Sequence, residues 1–428
     1  MRFAGAIKLL IFVGAAIATV TAQSPPSVSP LTAAAQFSGE AATTNQLVLG
    51  LGANAVYDDN AFNSLQPSGQ AEIGATPRVS WDMVHSHWTS MLNYSANIMR
   101  STRFDFYNLT SHSLATTFNY RVNKNLSFDV TDTFIHTADP LSSSAFLDET
   151  PPNAGTPNPS FLGQPAVLTS NFVNTNATYQ LDARSDVSLG GGYFLQRYSN
   201  SAGASQRDSN GASGNAAFHH LFSARVKSGV AYDVIKITMP ESAYETFSQR
   251  FLVTQELTLR PSMTLSLFGG PNHISNKFSF LLLGIPVTAA TAEWSWSAGG
   301  TYTWVLARFN MSGSITRQVS DGGGLTSTVR RTSFRYSLGT KLPRKISASI
   351  YAGYTLNDSL VSVGSSRLPP KFGSAGVRLT RNLRRDLDVT AGYDRMEQVL
   401  AADSSLPWID RDRVTLSINY SFTHPLGR

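Results

Sequence analysis

The feature that most constrains the fold of this chain is a period-two alternation of apolar and polar residues, recurring from Asn45 to Phe422. In the last segment, Val414, Leu416, Ile418, Tyr420 and Phe422 alternate with Thr415, Ser417, Asn419 and Ser421. Successive side chains of a β-strand point to opposite faces, whereas a helix would repeat at three and four residues. The pattern therefore predicts strands with one apolar and one polar face, and segments 187–196, 309–316 and 346–355 repeat it.

The connections between these segments alternate between short and long. Seven tight, mostly basic turns are expected at 123–125, 183–185, 223–225, 260–262, 306–308, 343–345 and 383–385. Longer connections are expected at Asp139–Pro165, Ser199–Asp208, Ser275–Ala289 and Ser320–Leu325. Short turns at one end and long loops at the other are typical of transmembrane barrels with an even strand number. The fold class is therefore all-β: a single transmembrane antiparallel up-and-down β-barrel of about 18 strands, within a range of about 16–20.

A two-sheet sandwich is the alternative architecture, because its strands also alternate. Large aromatic residues near strand ends, on the apolar face, favour the barrel, since membrane barrels carry aromatic girdles at both interfaces. The residues in question are Trp81, Trp88, Trp294, Trp296, Trp304 and Tyr420. Charged residues make up only 14% of the chain, against about 25% in soluble domains. A low charge content suits strands that face lipid on one side and neutral polar groups on the other.

The chain begins with the features of an export signal. Arg2 and Lys8 precede the apolar run 9–20, and Val20-Thr21-Ala22 places small residues at a cleavage site. The run is shorter than the stretch of about 20 apolar residues that spans a bilayer as a helix. We expect a signal peptide at 1–22, a periplasmic leader at 23–44 and the barrel at 45–428, located in the outer membrane of a Gram-negative bacterium.

The first predicted hairpin carries a recognisable phrase, LGLGANAVYDDNAF at Leu49–Phe62. Its Tyr57-Asp58-Asp59-Asn60-Ala61-Phe62 step resembles the β-barrel porins of Gram-negative bacteria that are linked to exopolysaccharide production and secretion, although Ala61 is smaller than the residue usual there. The resemblance implies a porin-like channel for passive passage or export of a hydrophilic solute or polysaccharide. A non-conducting scaffold barrel of an exopolysaccharide secretion system is the alternative. Expected partners are outer-membrane lipid, the barrel assembly machinery and polysaccharide or periplasmic export components.

Charged residues on the polar faces are the candidate site residues. An Arg or Lys facing lipid at the bilayer centre costs about 2–4 kcal/mol, so alternation should direct these side chains inward. The candidates for lining the lumen are Arg78, Lys227, Arg250, Glu256, Glu293, Arg331, Arg335 and Arg378, with Asp129, Asp233, Asp388 and Asp394 on the same face. Arg331 and Arg335 share one face of one strand and form the expected basic patch. The alternative is that these charges pair across neighbouring strands and only hold the wall together.

No catalytic, metal or cofactor site is expected. Asp58, Asp59 and Asn60 are interpreted as an acidic turn in a surface loop, since two adjacent carboxylates are few for a calcium ion. His219 and His220 lie on opposite faces of a strand and cannot chelate one ion together. A barrel hydrolase is disfavoured because no spacing singles out a Ser-His-acid triad. The chain has no cysteine, which excludes disulfides and thiolate sites, and without a basic helix the pI of about 9.4 does not indicate nucleic-acid binding.

Two segments are left with open roles. The loop Asp139–Pro165 is expected to fold inward and narrow the mouth of the barrel. Thr423–Arg428 follows the final aromatic residue, where a barrel's last strand usually ends, and this departure indicates either an added tail or slower assembly.

Overall fold

The structure is a computed structural model that describes residues 45–61, 64, 66–103, 105, 108, 110–138, 166–199, 207–282, 285–321, 328–360, 371–399 and 408–426. The expected signal peptide and leader, and the loop 139–165, lie outside the described residues, so their assignments stay predictions. Among the described residues, no helix is long and apolar enough to cross a membrane.

Eighteen antiparallel strands form one closed sheet in the described part of the chain. The strands are β1 Gln46–Asp58, β2 Gln70–Val84, β3 Trp88–Ser101, β4 Thr110–Arg121, β5 Leu126–Thr137, β6 Val167–Gln180, β7 Ser185–Ser199, β8 Ser209–Ser223, β9 Val226–Met239, β10 Tyr244–Arg260, β11 Met263–Leu282, β12 Ile285–Val305, β13 Phe309–Ser320, β14 Val329–Leu342, β15 Ile346–Ser359, β16 Lys371–Asn382, β17 Leu387–Val399 and β18 Ile409–Pro425. Each strand pairs with its neighbours in sequence, and β1 also pairs with β18, which closes the ring. The prediction of a single all-β barrel of 18 strands is confirmed.

The seven short basic turns all connect strands at the end of the barrel where β1 begins and β18 ends. Arg344 and Lys345 have φ of 61° and 58°, and two successive positive φ angles are the signature of a type I′ hairpin turn. In the turn between β6 and β7, the Arg184 backbone N–H and the Ser185 hydroxyl donate hydrogen bonds to Asp182. These bonds lower the pKa of the Asp182 carboxyl, because they stabilise its charged form. We call this end of the barrel the turn end and the other the loop end.

One expected long connection is wrong. Residues 275–282 belong to β11 and residues 285–289 belong to β12, with Ser275 paired to Ala292. Residues 280–286 read Phe-Leu-Leu-Leu-Gly-Ile-Pro. This run lacks a period of two and contains Gly and Pro, which favour turns, so its sequence did not indicate strand.

The chain end is also part of the wall. Thr423, His424 and Pro425 belong to β18 and lie opposite Val48, Leu47 and Gln46 of β1. The Leu426 backbone N–H donates to the Asn45 carbonyl at 3.0 Å. The interpretation of this segment as an added tail is wrong through residue 426, since these residues complete the seam between the first and last strands.

The two faces of the sheet differ sharply. One face carries exposed large apolar side chains, such as Leu51, Ile73 and Ile418, which are 58%, 62% and 49% exposed. Trp294 and Trp296 are exposed on this face toward the loop end, and Tyr420 toward the turn end. In a closed sheet the exposed apolar face is the outer surface, so the alternating polar residues line the inside.

Candidate channel lumen

The inner face of the wall is built mainly from small neutral polar residues. On β13 the inward positions are Asn310, Ser312, Ser314 and Thr316, and on β15 they are Ser347, Ser349, Tyr351, Gly353 and Thr355. These residues alternate with outward Ile315 and with outward Ile350 and Ala352. Hydroxyl and amide groups can exchange hydrogen bonds with water or with a hydroxyl-rich solute.

Strand register places the side chains of all eight candidate residues on the inner face. Arg78 lies on β2, Lys227 on β9, Arg250 and Glu256 on β10, Glu293 on β12, Arg331 and Arg335 on β14, and Arg378 on β16. Their accessibility differs, however. Arg250 and Arg331 are only 2% and 1% exposed, so these two do not present charge to solvent.

Arg250 is part of an inner-wall ion pair. Its Nη2 lies 2.9 Å from the Asp233 carboxylate, and its Nη1 donates to Gln318 Oε1 at 3.2 Å. This geometry corresponds to the alternative interpretation, in which inward charges pair across strands. Since Arg331 is buried, it does not form a solvent-facing patch with the partly exposed Arg335.

A second charge cluster lies near the turn end. Asp186 of β7 accepts from the Lys227 ammonium at 2.7 Å and from His219 Nδ1 at 3.0 Å. The three residues come from three adjacent strands, and Glu256 of β10 lies opposite Lys227. Basic and acidic groups are therefore balanced locally on this side of the wall.

The opposite side of the turn end holds a cavity of about 120 Å³. Arg78, Arg384 and Asp388 line it together with Gly50 and Gly52. A Cβ atom on Gly52 would lie 2.7 Å from Asn419 Oδ1, so a larger residue at this position would require the asparagine side chain to move. Higher on the same side, the Tyr351 hydroxyl donates to Asp394.

The loop end is narrowed by the end of the β13–β14 hairpin. β12 pairs with β11 over its full length, but it pairs with β13 only from Ala298 to Val305. Among the described residues, the loop-end half of β12 therefore has no strand partner on the β13 side. Beyond Arg317, β13 continues to pair with β14 but leaves β12. We call residues 318–321 and 328–331 the inner hairpin.

Contacts show where the inner hairpin goes. Asp321 Oδ2 accepts from Ser209 of β8 at 3.3 Å, Gln318 contacts Arg250 of β10, and Thr328 Oγ1 donates to the Tyr244 hydroxyl of β10 at 3.1 Å. Because β11 and β12 separate β13 from β10 along the wall, these contacts can form only through the interior. The inner hairpin therefore lies inside the barrel against β8–β10.

An apolar cluster anchors it there. Val319 packs with Phe194, Ile235, Ile237 and Ile274, all at most 5% exposed, and Phe172 and Leu360 pack against the cluster. Val319 occupies an outward position by register, yet it contacts the inner face of β11. Because the hairpin is displaced inward, Val319 can reach the inner wall although its register position is outward. For the same reason Arg330, which also has an outward register position, lies 2.5 Å from Glu293 on the inner face of β12. The sequence did not predict this element: the loop it selected for narrowing the mouth lies outside the described residues.

The Asp58-Asp59-Asn60 step is not an exposed loop turn. Asp58 is 1% exposed at the end of β1, and Arg411 Nε donates to its Oδ2 at 2.9 Å. Asp59 exchanges hydrogen bonds with the Asp412 backbone, and Asn60 Nδ2 donates to the Asp410 carbonyl at 2.8 Å. These residues tie the first strand to the last.

Sequence reasoning missed Arg411. The alternation pattern could have identified it, because Arg411 and Arg413 occupy inward positions on the last strand, and closure of the barrel brings Arg413 opposite Asp58.

Across the described ranges, no three His, Cys, Asp or Glu side chains are grouped to hold a metal ion.

No protein-family model matches the chain, and no curated protein matches it. Among solved structures, it is similar to Pseudomonas aeruginosa OpdL (11% identity, TM-score 0.41, covering 89% of this chain and 99% of that one). It is also similar to OpdO from the same organism (11% identity, TM-score 0.43, 89% and 97%). A third is P. aeruginosa OccK2 (OpdF) in complex with glucuronate (11% identity, TM-score 0.41, 88% and 98%).

Proposed function

We propose that the chain is an outer-membrane channel for small hydrophilic solutes. The observation that carries the proposal is the closed 18-stranded wall with an apolar outer face and a polar inner face. A bilayer core offers no hydrogen bonds to a backbone, so only helices or closed barrels span it. A signal peptide at 1–22 would deliver the chain to the periplasm, where barrels are inserted.

The strand number supports a channel. Barrels of about 16–18 strands enclose more space than their own side chains fill and leave an aqueous passage. Here the inner hairpin occupies part of that space at the loop end, against β8–β10. The passage is therefore narrowed at the loop end and lined by Ser, Thr, Asn and Gly below it.

The proposed solute is neutral and rich in hydroxyl groups. Several charges on the inner wall are paired with one another, as in the pairs of Arg250 with Asp233 and Lys227 with Asp186, whereas neutral hydroxyl and amide groups alternate along β13 and β15. The finer proposal, that the solute is a sugar or a polysaccharide segment, rests on this lining and on the resemblance of Tyr57–Phe62.

Single-channel recording of the refolded protein without residues 1–22 tests the proposal. We expect stable conductance steps in a planar bilayer, weak ion preference in a salt gradient, and transient block by neutral oligosaccharides. Migration on unheated gels serves as the control for folding. A folded barrel that gives no steps would contradict the channel, and steps that no oligosaccharide blocks would contradict the sugar proposal alone.

A further inference from the structure

Four adjacent strands carry polar side chains on the outer face of the barrel. The Tyr94 hydroxyl of β3 bonds to His112 Nδ1 of β4 at 2.9 Å, and the rings of His112 and His136 of β5 lie 6.2 Å apart. His136 Nδ1 bonds in turn to the Thr169 hydroxyl of β6 at 2.8 Å. These side-chain contacts therefore link β3, β4, β5 and β6 in succession.

A carboxylate lies deeper on the same face. Asp132 is at the middle of β5, and Asn171 Nδ2 of β6 donates to its Oδ1 at 2.8 Å. Asp132 shares its face with Phe128, which is 41% exposed, and Asn171 lies opposite Phe134. Both groups therefore point outward. Together with the four residues above, we call Asp132 and Asn171 the outer polar patch.

On the opposite side of the barrel, the outer wall at this level is apolar. Across the barrel, the mid-strand outward residues are Ile350 and Ala352 of β15, Ala391 of β17 and Leu416 and Ile418 of β18. Hydrocarbon chains cannot satisfy a carboxylate, and polar groups within membrane segments normally face protein or water. In the proposed membrane setting, on which this inference rests, the outer polar patch requires a polar surface against it.

We propose that the outer polar patch is the contact between two copies of this chain. It carries donors, in Asn171 and the histidines, beside the acceptor Asp132, so it is complementary to itself in hydrogen bonding. Identical barrels inserted in one orientation meet about an axis along the membrane normal, which brings the same depth of each wall together. A lipid headgroup lies too far toward the interface to reach Asp132 at mid-strand.

Because the natural chain has no cysteine, single substitutions report contact directly. Thr116→Cys lies opposite Asp132 on β4, and Thr175→Cys lies on β6 opposite Val130, two residues from Asp132 on the same outer face. The matched control is Ala391→Cys, an outward mid-strand position on β17. After oxidation in native outer membranes, we expect the first two variants to yield a product of twice the monomer mass and the control to remain monomeric.

A second variant separates interface from lipid contact. Asp132→Leu in the Thr175→Cys background should abolish most of the cross-linked product while the barrel still folds, as gel mobility without heating shows. Absence of cross-linking in both test variants, or a product whose mass is not twice that of the chain, overturns the inference. Recovery of the chain outside the outer membrane would instead contradict the proposed location, and conductance of single barrels tests the channel independently.

Discussion

At the scale of single residues, the most informative group is Asp58. In the sequence it resembles part of a loop turn, yet it is a buried carboxylate paired with Arg411, with Arg413 Nε at 3.6 Å. The cost of removing both charges from water is repaid only when each has its partner. The motif that carried the family resemblance therefore has a structural role at the seam of the barrel.

Removing the guanidinium should weaken the seam. We expect Arg411→Gln to lower the free energy of unfolding by up to about 3–5 kcal/mol, the range for breaking a buried ion pair, because Asp58 keeps only the more distant Arg413 as a cationic partner. Urea titration followed by tryptophan fluorescence measures the change.

The matched control is Arg395→Gln. Arg395 forms exposed ion pairs with Asp410 and Asp412 on β18, with 39% of its side chain accessible. Exposed pairs contribute about 0–1 kcal/mol. Equal effects of the two substitutions would show that burial of the Asp58 pair is not what matters.

At the scale of elements, the inner hairpin and the end of β18 depart most from the sequence pattern. Residues 318–320 continue the polar and apolar alternation of β13, so their local sequence does not differ from that of the strand residues that form the barrel wall. Their displacement is decided by contacts with β8–β11, which lie far away along the chain.

Charging the apolar cluster should release the inner hairpin. Val319→Asp places a carboxylate among Phe194, Ile237 and Ile274, and an unpaired buried charge costs several kcal/mol. We expect the hairpin to leave the lumen and single-channel conductance to increase. Ser314→Asp adds the same charge to the inner face of β13 below the hairpin, and it should leave the conductance level nearly unchanged.

The end of β18 should be needed for closure. Deleting residues 423–428 removes three residue pairs between β1 and β18 and the bond from Leu426 to Asn45. We expect a smaller fraction of barrel that resists unfolding in detergent without heating. Deleting only residues 427–428 is the control. Equal folded fractions for the two deletions would mean that the added strand pairs do not contribute.

At the scale of the whole molecule, the barrel combines a neutral polar lumen with charges on the inner wall. Asp388 and Arg378 both lie within electrostatic reach of Arg78 on one side of the barrel. Charges near a passage set its ion preference through their combined field. The molecule should therefore discriminate ions weakly, and the preference should change when one inner charge is removed.

Arg378→Gln should shift the reversal potential in a salt gradient toward cation preference, because it removes positive charge from the inner wall of β16. Arg381→Gln is the control, since Arg381 lies on the same strand with its side chain on the outer face. A comparable shift for the outer substitution would place the selectivity outside the lumen.

The sequence by itself determined the architecture of this protein, because the period-two alternation, the short basic turns and the apolar face of each strand are local properties of each segment. The alternation also predicted that the side chains of Arg78, Arg250 and Arg331 lie on the inner face of the barrel. It did not determine which inward charges are buried, how Asp58 meets Arg411, or that the β13–β14 hairpin leaves the wall. These depend on contacts between strands distant in sequence, and only closure of the ring and packing inside it bring those strands together.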